Sequence, residues 1–329
     1  MSAVTPLPVS PALRVDYVDG APDALLRDER TLAVLGFGTQ APHVDDPRYL
    51  RVMLQPWGAA PLECWRTDAP VRRGRDDGIA WAASDALLFG AIELDEGDGD
   101  VGITAEQAYR RMCAFVRAHG YPHLLRVWNY LDAITVGEGD AERYRVFCVG
   151  RARGLGAHDP GTLPAATAIG RVDGVRRLQV YWLAARVPGT PVENPRQMSA
   201  YRYPRQYGPQ PPSFARAMLP PSTAMPLLVS GTASIVGHQS LHADSVRDQI
   251  AETLRNFDSL LAAARHARPT LPAAFDAGSR LKVYVREADE LPLVAAELDA
   301  RLPGVPRVLL HAGVCRRELR IEIDGVHGP

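Results

Sequence analysis

Glu322 stands in LRIEIDG (319–325), a run that alternates so that Leu319, Ile321 and Ile323 share one face and Arg320, Glu322 and Asp324 the other. A carboxyl group does general-acid chemistry near neutrality when burial or a neighbouring negative charge raises its pKa. By pattern alone this one reads as part of a solvated strand face. Cys315, shortly before it, reads as a small buried hydrophobe that closes a strand. Upstream, residues 188–225 mix proline, tyrosine and arginine in PGTPVENPRQMSAYRYPRQYGPQPPSFARAMLPPSTAM, with Arg196, Tyr201, Tyr203, Arg205, Tyr207 and Arg216 as polar heads. Guanidinium forks and phenol hydroxyls both donate to carboxylates. A proline-stiffened segment of this kind suits an anion-binding lid, or else a loop fastened to a surface.

Other motifs carry less. GFGTQA (36–41) imitates a dinucleotide fingerprint, but that motif delivers a pyrophosphate to a helix N-terminus, and Pro42, His43 and Pro47 forbid a helix there. HQSLH places His238 and His242 four apart without the glutamate of a zinc-protease helix, inside a loop, so no metal site is expected. Neither a P-loop nor a G-x-S-x-G elbow occurs.

The 329 residues are 46% hydrophobic and 23% charged, an ordinary globular composition with room for two domains. The 37 basic and 38 acidic side chains nearly cancel, so no positive field advertises a nucleic-acid or membrane partner. Lys282 is the sole lysine, which leaves arginine as the chain's cation. Four cysteines without a C-x-x-C pair predict neither a zinc ribbon nor a disulfide framework, and point to a reducing cytoplasm. The start, MSAVTPLPVSPALRVDYV, is unlike a signal peptide, and no apolar run reaches the ~18 residues of a membrane span.

Stepping along the chain, residues 1–13 read as a proline-rich lead-in, 13–18 and 31–38 as strands, and 39–80 as irregular. The spacing of Ala108, Met112, Phe115 and Val116 predicts a helix over 103–120, with Thr104 as N-cap, Gln107 in a capping box and Gly120 as stop. Strands are expected at 123–131, 143–152 and 177–187. The second half alternates cleanly: strand 226–235, helix 245–266, strand 280–287, helix 291–302, strands 307–314 and 319–325. The fold class is α+β, with an N-terminal domain over 1–190, a loop over 191–225 and a C-terminal domain over 226–329.

VSGTASI, DQIAETLRNFDSLLAAA, LKVYVRE and RVLLHAGVCRRELRIEIDG together resemble the RidA/YjgF (chorismate-mutase-like) module, set on an N-terminal half of related layout. With FCVGRA, the AYRYP and YGPQPPSFARA segments and the pairing of SGTASIVGH with CRRELRIEIDG, the chain resembles the chorismatase family over most of 120–329. That resemblance implies cleavage of chorismate to pyruvate plus either a dihydroxycyclohexadiene carboxylate or a hydroxybenzoate, without metal or redox cofactor. It implies Glu322 as the acid, Cys315 as the cysteine of hydroxybenzoate-forming members and Gly231 as the small product-directing residue. Arg151, Tyr201, Tyr203 and Arg216 become candidates for holding the two carboxylates. The expected product is 3-hydroxybenzoate, with 4-hydroxybenzoate as a second. The alternative is a RidA-like imine or enamine deaminase or metabolite binder, for which Arg307 would be the relevant arginine. Oligomeric state stays open, a monomer included.

Overall fold

A computed structural model describes residues 11–97, 100–157 and 159–328, so most of the expected N-terminal lead-in lies outside the described residues. Two sheets built on one plan dominate. In the N-terminal half the strands Leu87–Asp95, His123–Asp132, Ala165–Arg171 and Arg177–Ala185 are interleaved with helices Val101–Ala118 and Arg143–Leu155. The last of these strands inserts antiparallel between the first two, while His123–Asp132 and Ala165–Arg171 run parallel. The C-terminal half repeats this with strands Leu227–Thr232, Arg280–Val285, Arg307–His311 and Ile321–His327 and helices Val246–Ala267 and Leu291–Arg301. The shared layout matches what the family resemblance implied for the two halves.

Each sheet buries one face under its own helices. Leu88, Val127, Val180 and Trp182 pack against Ala105, Ala108, Met112 and Val116, and Val229, Val283, Ile321 and Ile323 pack against Ile250, Phe257 and Leu261. The opposite faces meet in a central core with a small sheet of Leu13–Val18, Thr31–Phe37, Tyr49–Val52 and Leu62–Thr67. There the hydroxyl of Tyr130 lies 3.1 Å from that of Tyr181 and 3.0 Å from that of Tyr284. The last strand is therefore covered on both sides, which overturns the solvated-face reading: Glu322 is 5% and Asp324 0% exposed.

Three other expectations are corrected. Residues 39–80 are not irregular, since they hold Tyr49–Val52, Leu62–Thr67 and Arg72–Asp76. The first long helix starts at Val101 on Asp100, whose carboxylate accepts from Ile103 N at 2.9 Å; Thr104 lies inside it and donates its hydroxyl to Asp100 O. RYRVFCVGRA is helix Arg143–Leu155 and not a strand. Its Val, Tyr and Phe content imitates a strand, but Gly150 and Gly154 let its backbone close on the neighbouring helix. A Cβ at Gly150 would stand 1.9 Å from Gly102 O, and that packing overrides local propensity.

The Pro/Tyr/Arg-rich segment is more than a loop. Thr190–Val192 and Ala217–Leu219 pair with each other and extend the C-terminal sheet. Between them, the 3₁₀ turns Ala200–Arg202 and Arg205–Tyr207 carry Tyr201 and Tyr207, and Tyr203 follows the first of them.

Candidate active site

The two halves are stitched by backbone bonds, Gly170 N to Gly313 O at 2.7 Å and Gly313 N to Gly170 O at 2.8 Å. Beside that seam lies a cavity of about 410 Å³, in the size range of small-molecule sites. Six of the seven residues picked out by sequence line it: Arg151, Tyr203, Arg216, Gly231, Cys315 and Glu322. Tyr201 does not; it packs on the guanidinium of Arg202. Arg307, on which the deaminase alternative leaned, is also outside it, bonded to Leu302 O, Val305 O and Asp299.

Glu322 is clamped from two sides. A Cβ at position 231 would lie 1.9 Å from its Oε1, and Cys315 Sγ stands 3.9 Å from its Oε2. Burial, and then the neighbouring Asp324, push the Glu322 carboxyl up to about 8, against the downward pulls of Arg126, the Cys315 contact and Arg216. Burial thus favours its protonated form near neutral pH. Burial and Glu322 likewise push the Cys315 thiol up, so that it stays a thiol and not a nucleophilic thiolate.

Asp324 sits behind Glu322 in a fixed cradle. Its Oδ2 accepts from Thr167 Oγ1 at 2.7 Å, Arg126 Nη2 and Tyr284 OH at 3.0 Å each, and Trp128 Nε1 at 3.1 Å. Lys282, the chain's lysine, is buried there too and bonds both oxygens of Glu63.

Two guanidiniums face the cavity almost without exposure, Arg151 at 3% and Arg216 at 2%. Arg151 donates to Ser213 O at 2.9 Å and lies over the Tyr109 ring. Arg216 donates to Met198 O at 2.8 Å and to Tyr203 OH at 2.7 Å. Neither forms an ion pair among the described residues, and the Nε of each has no partner there. Glu193 feels the charge of Arg216, but burial dominates and lifts its carboxyl above the ordinary value. A buried cation without a counter-charge is costly, and an anionic ligand removes that cost.

The mouth contains residues that sequence reasoning missed. Arg316 lies over the rings of Tyr207 at 4.0 Å and Tyr203 at 5.2 Å. Arg145 and Arg317 are instead engaged by Glu142 at 3.8 Å each. The tyrosine-bearing segment is fastened down by Arg205 to Asp140 at 2.8 Å and by Tyr207 to His238 Nδ1 at 3.1 Å. His242 faces Glu252. A helical reading of 143–155 would have exposed part of the signal, because Tyr144, Cys148 and Arg151 share one face at helical spacing.

Fold and cavity together define a two-module α+β protein whose cavity presents two buried guanidiniums beside a buried glutamate. Residues 63–184 match the family model for the N-terminal domain of FkbO/Hyg5-like chorismatases. The chain is 38% identical over 322 residues to a chorismatase of Streptomyces hygroscopicus, covering 93% of this chain and 92% of that protein. It is 34% identical over 286 residues to a 3-hydroxybenzoate synthase of the same species, covering 83% of each. A chorismatase crystal structure superposes with a TM-score of 0.84 at 36% identity, covering 97% of this chain and 98% of that one. The chain belongs to the chorismatase family. No helix among the described residues is long and apolar enough to cross a membrane.

Proposed function

We propose that this chain releases the enolpyruvyl group of chorismate as pyruvate, with Glu322 as the acid and Arg151 and Arg216 as carboxylate clamps, in the cytoplasm. The observation that carries the reading is the pair of buried guanidiniums without ion-pair partners among the described residues, beside a buried glutamate whose ionisation burial opposes. Chorismate supplies what they lack: two carboxylates and an enol ether.

In this mechanism Glu322 gives its proton to the terminal methylene carbon, making a methyl group and an oxocarbenium on the ether carbon. The second negative charge of the substrate helps to keep Glu322 protonated until that moment, while the clamps hold the ether near it. Two exits follow. Water can add to the oxocarbenium carbon, and the adduct collapses to pyruvate and a ring diol, with one water consumed. Alternatively the oxygen of the neighbouring ring hydroxyl closes on the ether-bearing carbon as that carbon's bond to the ether oxygen breaks. Pyruvate leaves with the ether oxygen, the hydroxyl proton passes to the Glu322 carboxylate, and an epoxide spans the two ring carbons. Glu322 returns that proton to the epoxide oxygen as one of its C–O bonds opens and then takes the proton from the ring carbon that keeps the oxygen, so the ring becomes aromatic with no water consumed. Opening at the carbon that first bore the hydroxyl gives 3-hydroxybenzoate, and opening at the other gives 4-hydroxybenzoate. Cys315 occupies space beside the acid where a water would stand, and Gly231 leaves the ring room to tilt. Both support the aromatic exit, as does the likeness to a 3-hydroxybenzoate synthase.

The test is to add chorismate to the protein and read pyruvate with lactate dehydrogenase and aromatic products by chromatography. Pyruvate with 3-hydroxybenzoate, accompanied by 4-hydroxybenzoate, is expected. An accumulating diol defeats the product assignment, and absence of pyruvate defeats the whole reading. In the same assay Arg151→Ala and Arg216→Ala should each weaken chorismate binding by about 1.5–3 kcal/mol, as for loss of a charge-assisted hydrogen bond. Unchanged apparent affinity in both would place the clamp elsewhere.

A further inference from the structure

The strand Leu227–Thr232 carries an irregularity between Val229 and Thr232 where it pairs with the last strand. Such bulges release backbone groups from the ladder and re-aim the chain. Here Ser230 N donates to Arg216 O at 3.0 Å, while the Gly231 amide and the Ser230 hydroxyl are engaged by the other half of the molecule. Ala166 N donates to Ser230 Oγ at 2.9 Å, and Gly231 N donates to Thr167 Oγ1 at 3.0 Å. The Thr167 hydroxyl also accepts from Arg126 Nη2 at 2.6 Å and donates to Asp324 Oδ2 at 2.7 Å. It is thus a single junction joining the N-terminal strand, the Gly231 backbone and the cradle behind the acid, and it lines the cavity.

The Gly231 backbone matters because it forms the wall against Glu322 Oε1. Whatever fixes that backbone fixes the lateral position of the carboxyl. We propose that Thr167 is a positioning residue, whose hydroxyl holds the bulged Gly231 amide and thereby aims the Glu322 carboxyl at the substrate. The inference rests on Glu322 being the acid. Thr167 makes no bond to Arg151 or Arg216 among the described residues, so its loss should be felt in turnover far more than in binding. The charged and titratable groups around Glu322 include Asp324 on its own strand, Arg126 across the seam, Arg216, Arg286, Cys315, and Tyr144 from the helix Arg143–Leu155.

The test compares kcat and KM for pyruvate release. Thr167→Val keeps the shape and removes the hydroxyl, and kcat is expected to fall by ~10-fold or more with KM within ~3-fold, the pattern of misaligned reacting groups. Thr167→Ser, which restores the hydroxyl, should return kcat to within ~3-fold of the native value. If the valine variant does not fold, Thr167→Cys takes its place, a weak sulfur acceptor replacing oxygen, with the same expected fall. Tyr284→Phe takes a donor from Asp324 but leaves Gly231 its partner, so its fall in kcat should be smaller than that of Thr167→Val. Native-like kcat in Thr167→Val or Thr167→Cys overturns the proposal. So does a serine variant as slow as the valine one, or a Tyr284→Phe loss as large as that of Thr167→Val. Glu322→Gln measured alongside separates the two claims: if it turns over normally, the acid assignment fails, whereas an inactive Glu322→Gln with a native-like Thr167→Val fails only the positioning role.

Discussion

Glu322→Gln is expected to release pyruvate from chorismate at least ~100-fold more slowly than the native chain while keeping the native fold. The amide has the shape of the protonated acid but no proton to give to carbon. Its site already demands a neutral group, because burial first and the Asp324 charge second oppose ionisation of Glu322. The pH dependence follows from that. A general acid must be protonated, so kcat/KM in the native chain should be level below about 8 and fall above it, where Glu322 loses its proton. Stability gives an independent check. The folded-state value lies above the ordinary 4.5, so any stability tied to this proton is fully present below 4.5 and is lost as pH rises toward about 8. Glutamine carries no such dependence. The unfolding temperature of Glu322→Gln should therefore gain on the native one across that window, as calorimetry at several pH values would read. Near-normal turnover in the variant would remove Glu322 from the role of acid.

Much of the second half was legible because its elements obey single periods. Val246, Ile250, Phe257 and Leu261 repeat at helical spacing, and all four are buried against the sheet. The alternation in LRIEIDG gave the strand but misread its polar face. Periodicity tells which residues share a side, not what covers that side, and here the cover is a second sheet from the first half, far away in sequence. The helix Arg143–Leu155 was lost for the opposite reason. Its apolar residues look extended, and only the close approach at Gly150 and Gly154 shows why it coils. Losing that helix hid the relation between Tyr144 and Arg151. Thr167 gave no signal at all, since a threonine within AATAIGR is what any strand would carry. Its importance comes from a bulge in a partner strand that no local pattern announces. Tyr201 was the reverse case, conspicuous by composition yet turned onto Arg202 instead of into the cavity.

Gly231→Ala and Cys315→Ala should act as a coupled pair on both rate and product. The new methyl at 231 would fall 1.9 Å from Glu322 Oε1 and 2.9 Å from its Cδ, so the carboxyl must swing aside. No left-handed backbone angle is needed at Gly231, and the end of a glutamate side chain moves easily, so the fold should survive. The retreat, however, is toward Cys315, whose sulfur already stands 3.9 Å from Oε2. Gly231→Ala alone should therefore misplace the acid and slow pyruvate release by ~10-fold or more, since displacements of about 1 Å can cost ~100-fold. Cys315→Ala alone keeps the acid and should change the rate little, while opening space for a water beside the reacting carbon. In the double variant the carboxyl regains somewhere to go, so its rate should exceed that of Gly231→Ala, a coupling that separate sites would not show. Its product should change as well. With the tilting space filled and a water admitted, the oxocarbenium is captured before aromatisation, and the ring diol should replace hydroxybenzoate as the main product. Chromatography of timed digests with a parallel pyruvate assay reads both quantities. A double variant slower than Gly231→Ala would show that the sulfur does not confine the acid. One that still makes only hydroxybenzoate would show that the choice of exit is made elsewhere in the cavity.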